Sequence, residues 1–224
     1  MQIGGATALG IPTAATAVVL NVTATSATDS GYLTVFPKGG IKPGVKSVNF
    51  TSGKITTNLV TVAVGTGLVN GGGISIYNSA GSTNVTVDVV GYYSSVATGS
   101  RFFPLNPTRT ANTVDGTGGV AAGKIATGTS QSFRVASRST VPASGVKSVV
   151  YNLTMSGQTA YAAMQVYPQG GVRLYNSLSG YANTPVSLCG ISLLGYTSPA
   201  LGGLSVYNFG GSANAAVDLA GYFS

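Results

Sequence analysis

The sequence predicts an all-β protein of two tandem antiparallel β-sandwich domains, with a closed barrel as the competing arrangement. Three observations carry that expectation. The first is a duplication: V-V-L-N-V-T at Val18 to Thr23 returns as V-V-Y-N-L-T at Val149 to Thr154, and V-D-V-V-G-Y-Y at Val87 to Tyr93 returns as V-D-L-A-G-Y-F at Val217 to Phe223. Asn21 and Asn152 are 131 positions apart, as are Phe36-Pro37 and Tyr167-Pro168, while Tyr77 to Tyr207 and Asp88 to Asp218 both span 130. Register kept to one residue at four anchors is the mark of a repeated domain. Gly53 and Gly180 match at a spacing of 127, which reads as loops absorbing length changes around a fixed core. The second observation is period-two alternation of β-branched and aromatic residues, broken by Gly, Asn and Pro. The third is composition: 33 glycines, abundant Thr, Ser, Asn and Val, and no amphipathic helical stretch.

In order, the first copy reads as strands at Ala17 to Ala24, Tyr32 to Phe36, Ser47 to Phe50, Asn58 to Val64, Gly73 to Asn78 and Asn84 to Tyr92. The second reads as strands at Gln131 to Ala136, Val146 to Met155, Ala162 to Tyr167, Val172 to Ser177, Pro185 to Ile191, Gly203 to Asn208 and Ala213 to Phe223. The domains expected are 1–98 and 131–224, joined by an ordered Pro/Gly-rich linker, 99–130. There Pro104 and Pro107 impose an extended path, and Phe102, Phe103 and Leu105 are apolar anchors for a sheet or a domain junction. Only about 16 residues precede the opening strand of the first copy, so the second copy is the fuller one.

Composition narrows the function classes. Charged residues make up 7% of the chain, glutamate is absent, and the four acids are Asp29, Asp88, Asp115 and Asp218. The net charge of +7 comes from scattered lysines and arginines in a chain poor in acids, without a recognition helix or an aromatic-basic platform, so no nucleic-acid partner is expected. No apolar run approaches the ~18 residues that would span a bilayer, so no membrane insertion is expected either. Met1 to Pro12 carries no charged leader with a long apolar segment, so the expectation is either a mature or trimmed fragment or delivery by assembly rather than export. The single cysteine, Cys189, lies in the apolar run P-V-S-L-C-G-I and reads as a small buried thiol.

The chain offers little to catalysis. It has no histidine, the usual general base and commonest metal ligand, and no tryptophan for stacking on sugars. A glycosidase needs two carboxylates about 5–9 Å apart, and each copy has one strand acid, Asp88 or Asp218, which reads as a structural hydrogen-bond acceptor. Asp29 in S-A-T-D-S-G and Asp115 in V-D-G-T-G-G read as turn residues, neither with a second acid nearby to cage calcium. No serine sits in a nucleophile-elbow pattern. The expectation is a non-enzymatic protein with no catalytic, cofactor-binding or metal-binding residues and no cofactor.

Asn21 and Asn152, mid-strand, read as inward-facing, hydrogen-bonded specifiers of register, with an outward place on a binding face as the alternative. The N-x-T triplets at Asn21, Asn49, Asn84 and Asn152 match the glycosylation pattern, and coincidence in a Thr-rich strand protein explains them. Tyr92, Tyr93 and Tyr222 close the repeats and belong to the fold. Tyr161, Tyr175, Tyr181 and Tyr196 occur only in the second copy and make it the better candidate for contact with a sugar or a neighbouring subunit.

The segments A-V-V-L-N-V-T-A-T, G-Y-L-T-V-F-P, N-L-V-T-V-A-V-G, S-I-Y-N-S-A-G-S-T-N-V-T-V-D-V-V-G-Y-Y, R-F-F-P-L-N-P-T-R and V-P-A-S-G-V-K-S-V-V-Y-N-L-T resemble the repeat module of secreted actinobacterial proteins and of minor tail proteins of actinobacterial phages. The resemblance covers nearly the whole chain, more closely in the first copy. In that family P-L-x-P-x-R is usually followed by Asp-Thr-Arg; Ala111 to Asp115 reads A-N-T-V-D instead. The resemblance implies an accessory or structural role without catalytic residues. The function expected is therefore a virion structural and adhesion protein in a tail, fibre or capsid-decorating position, located in the virion or extracellularly. Its expected partners are copies of itself, other virion subunits or host surface polysaccharide. The alternative is a carbohydrate-binding accessory module of a secreted cell-wall enzyme.

Overall fold

The computed structural model describes residues 1–5, 10–97, 99–138, 140–173, 178–198 and 201–224. The chain divides into two compact units, Met1–Gly99 and Ser100–Ser224. The first holds β1 (Ala15–Thr25), β2 (Gly31–Pro37), β3 (Val48–Phe50), β4 (Thr56–Ala63), the single helical turn α1 (Gly67–Asn70), β5 (Ile74–Asn78) and β6 (Asn84–Ser94). The second holds β7 (Phe102–Asn112), β8 (Ser130–Arg134), β9 (Ser148–Ser156), β10 (Ala162–Pro168), β11 (Leu178–Gly180), β12 (Val186–Leu193), β13 (Gly203–Asn208) and β14 (Asn214–Phe223).

Each unit is a pair of open antiparallel sheets, and neither pair closes into a barrel. The first unit has sheets ordered β4-β1-β6 and β3-β2-β5; the second has β12-β9-β14-β7 and β11-β10-β13-β8. Alternation puts one face of every sheet into a core. Val18, Leu20 and Val22 of β1 meet Leu33 and Val35 of β2 and Ile74 of β5 in the first unit. In the second, Val149, Tyr151 and Leu153 of β9 and Val217 and Leu219 of β14 meet Met164 and Val166 of β10 and Leu204 of β13. The repeated Tyr-Asn pair has a local cause: Asn78 donates to the carbonyl of Gly81 at 2.8 Å, Asn208 to that of Gly211 at 2.9 Å, and both glycines hold φ of 54°.

Three sequence expectations need correction. Residues 99–130 are not a linker: Phe102–Asn112 is β7, paired along β14, and the segment after it returns Val120 and Ile125 to the core of the second unit. Proline argues against a strand in a sheet interior, but β7 is an edge strand, where a missing N–H is tolerated. The strand expected at Val172 to Ser177 is absent at 172–173 and otherwise lies outside the described residues; β11 follows it instead. Gly53 and Gly180 are not counterparts. Gly31 pairs with Phe50 as Ala162 pairs with Gly180, so Gly180 corresponds to Phe50 at the general spacing, whereas Gly53 is a turn glycine with φ of 67°.

A free strand edge as the candidate interaction site

The two copies run in the same register up to one difference. Asn21 of β1 faces Asp88 of β6 as Asn152 of β9 faces Asp218 of β14, and both pairings carry a bulge just before the glycine, at Val90 and at Ala220. In the second unit β14 is then covered on its other side by β7. Among the described residues β6 pairs with β1 alone and ends its sheet. The smaller sheets differ in the same way. β13 is covered by β8, whereas among the described residues β5 is met on that side by Met1 and Gln2, through a bridge from Gln2 to Gly73 and a hydrogen bond from the Met1 amine to Ile74.

What β7 contributes to β14 is specific. Arg109 donates from Nε to Oδ1 of Asp218 at 2.5 Å and from Nη2 to Oδ2 at 3.1 Å. Phe103 stacks on Tyr222 with ring centres 5.1 Å apart, and Phe102 packs tilted on Phe223 at 5.2 Å. The Phe102 ring fills the space over Gly221: a Cβ there would lie 2.3 Å from it. Pro104 and Pro107 then blunt the outer side of β7 against further strand addition.

On β6 every one of these places is open. Among the described residues Asp88 has no hydrogen-bond or ion-pair partner, and partial burial raises its carboxyl above its ordinary value. A Cβ on Gly91 would meet nothing within 4 Å. Tyr92 and Tyr93 are each 45% exposed and Val85 37%, whereas the counterpart of Val85, Ala215, is buried. No proline interrupts β6. An uncovered strand of 11 residues with apolar and aromatic side chains is a template for pairing with another chain.

The other candidate residues fall elsewhere. Asn21 and Asn152 do not face the cores: Val18, Leu20 and Val22, like Tyr151 and Leu153, take the inward positions, and strand parity sends both asparagines to the opposite face, beside Asp88 and Asp218. Asn152 donates to Thr154 Oγ1 at 3.3 Å, while Asn21 Oδ1 is buried without a hydrogen-bond partner. Cys189 is exposed, because Leu188 takes the inward position beside it on β12. Asp115 organises a turn, accepting from Asn112 Nδ2 and the Thr117 amide at 2.8 Å each; the Thr117 bonds hold its carboxyl below the usual range. Asp29 accepts a long bond from Thr28 at 3.4 Å. No group of three or more His, Cys, Asp or Glu side chains gathers among the described residues, and no helix there is long and apolar enough to cross a membrane.

Tyr161 and Tyr181 pack edge to face on each other at 5.3 Å, and Tyr175 lies outside the described residues. Tyr196 is 78% exposed at the rim of an open cavity of about 350 Å³ that Leu193, Leu201 and Lys147 also line. A duplicated feature that sequence reading passed over is a cation on a tyrosine face. Lys42 lies 4.7 Å from the Tyr77 ring centre, and its counterpart Arg173 lies 3.7 Å from that of Tyr207. Arg109 was also hidden among scattered basic residues. Its one signal was the P-L-N-P-T-R motif.

No protein-family model matches the chain, and no curated protein matches it. A solved structure of infectious bursal disease virus, Gx strain, is similar at 12% identity over 94% of this chain and 58% of that chain, with a TM-score of 0.23; a likeness that low carries no argument about fold or function.

Proposed function

We propose that the protein is a non-enzymatic structural and adhesion component of a virion, in a tail, fibre or capsid-decorating position, acting by packing against other chains. The observation that carries this reading is the uncovered β6 edge. Its duplicate β14 is covered, and a strand left with open hydrogen-bonding groups, an unpaired acid and two exposed tyrosines suits assembly. The placement in a virion is supported by the resemblance of the repeat motifs to minor tail proteins of actinobacterial phages. The reading includes no cofactor, no nucleic-acid partner and no membrane insertion.

The competing reading, a carbohydrate-binding accessory module of a secreted cell-wall enzyme, is favoured by the open cavity beside Tyr196 in the second unit. Light scattering of the purified chain over a concentration series, with and without isolated actinobacterial wall polysaccharide, separates the two. A defined oligomer indifferent to glycan supports the assembly reading. A monomer that binds glycan overturns it.

A further inference from the structure

We infer that the free edge of β6 is a receptor for the leading strand of a partner module: an extended segment with two adjacent aromatic residues and an arginine six positions after the second. This names the occupant of the edge on which the assembly reading rests. The pattern is that of β7, where Phe102 and Phe103 precede Arg109.

Four features of β6 match that occupant, each the empty form of a filled feature on β14. Asp88 stands where Asp218 takes two hydrogen bonds from Arg109, so an incoming arginine would bring the counterion that burial of Asp88 calls for. Gly91 stands where Gly221 lies under the Phe102 ring, and the space over it is open. Tyr92 and Tyr93 stand where Tyr222 and Phe223 carry Phe103 and Phe102. The bulge at Val90 repeats that at Ala220, so a β7-type strand would meet the same step in the edge.

The occupant is a partner segment, not the chain's own β7 or one exchanged from a second copy. The chain's β7 is already paired along β14, and an exchange between copies would uncover one edge for each edge it covers. Prolines in such a segment would preset its extended path and reduce the entropy lost on docking, while blunting the completed sheet as Pro104 and Pro107 do in the second unit.

The test is fluorescence anisotropy of a labelled peptide of residues 101–112 titrated with the full chain. Saturable binding at one peptide per chain is expected. Asp88→Asn in the protein, or Arg109→Ala in the peptide, should weaken it at least about fivefold. Gly91→Val should abolish it by occupying the place of the first aromatic ring. Gly91→Ala, a smaller change into open space, should weaken it while leaving the urea midpoint of the free chain unmoved. No binding, equal binding of a scrambled peptide, or binding indifferent to Asp88→Asn and Gly91→Ala overturns the inference. Oligomers that form while the peptide fails to bind overturn it too, and leave the assembly reading standing. In-register capture of the peptide by a chain that stays monomeric and binds wall glycan supports the edge receptor and overturns the assembly reading.

Discussion

Arg109 and Asp218 form a two-point ion pair between β7 and β14, with nitrogen-oxygen distances of 2.5 and 3.1 Å, and the duplicate of that aspartate, Asp88, has no such partner. The arginine is 48% exposed and the aspartate 25%, so solvent screens the pair and its worth is modest. Arg109→Ala should destabilise the second unit by about 0.5–1 kcal/mol, and Asp218→Asn by a similar amount. The double variant should cost less than the two together, since both remove one interaction. Asp88→Asn should leave the first unit as stable or slightly more so, because it removes a charge without a counterion. Urea midpoints for the four proteins, with amide exchange to assign the change to one unit, check this.

Glycines at equivalent positions should respond oppositely to one added methyl. At Gly221 a Cβ would press within 2.3–2.8 Å of the Phe102 ring and the Phe103 carbonyl, so β7 must shift. Gly221→Ala should cost about 1–3 kcal/mol and loosen the β7 edge. At Gly91 the same methyl enters open space, and Gly91→Ala should stay within about 0.5 kcal/mol of the parent. Thermal unfolding and the exchange protection of the β7 amides are the measurements. Equal losses at both positions would mean that the two edges are alike.

Most of the sheet framework was legible in the sequence because alternation is a local signal, but the completed edge was not. β7 contains Pro104 and Pro107, which speak against a strand until one knows that it lies at the sheet edge, and edge position is a property of the whole sheet. The pairing of Arg109 with Asp218 spans 109 positions and exists only through strand register, so nothing near either residue announces it. β11 is three residues long, too short for alternation to declare. For Asn21 and Asn152 even the face was written locally: Val18, Leu20 and Val22, like Val149, Tyr151 and Leu153, alternate with them as the apolar set, and that parity places the asparagines on the opposite side.

Asp88 and Asp115 should titrate in opposite directions. Burial raises Asp88 above its unfolded value, so its contribution to stability is present in acid, below the unfolded value, and is lost as pH rises through the folded one. The Thr117 bonds hold Asp115 below its unfolded value, so its contribution is present above that value and is lost as pH falls through the lower folded one. Carboxyl chemical shifts followed by NMR through the acid range should give a higher midpoint for Asp88 than for Asp115. Binding of an arginine-bearing strand should tighten as pH rises through the Asp88 midpoint and move that midpoint down. A bound midpoint equal to the free one would show that no cation reaches Asp88.

The cores of the two copies solve one packing problem in two ways, and the difference can be exchanged. In the first unit Leu20 of β1 faces Val60 of β4; at the equivalent place in the second, Tyr151 of β9 faces Gly190 of β12. The tyrosine ring occupies the space that a side chain on β12 would need, since a Cβ on Gly190 would lie 2.3 Å from it. Bulk is thus shared between the two strands in the first unit and carried by one strand in the second, so neither position alone is interchangeable. Gly190→Val should destabilise the second unit by about 2–3 kcal/mol through overpacking, and Tyr151→Leu by a comparable amount through the space it leaves. Combined, they recreate the Leu-Val pair of the first unit, and the double variant should recover about 1–3 kcal/mol relative to the sum of the singles. A double-variant cycle in urea measures that coupling directly. A coupling near zero would mean that the backbones at these two sites differ too much for the copies to share one core geometry.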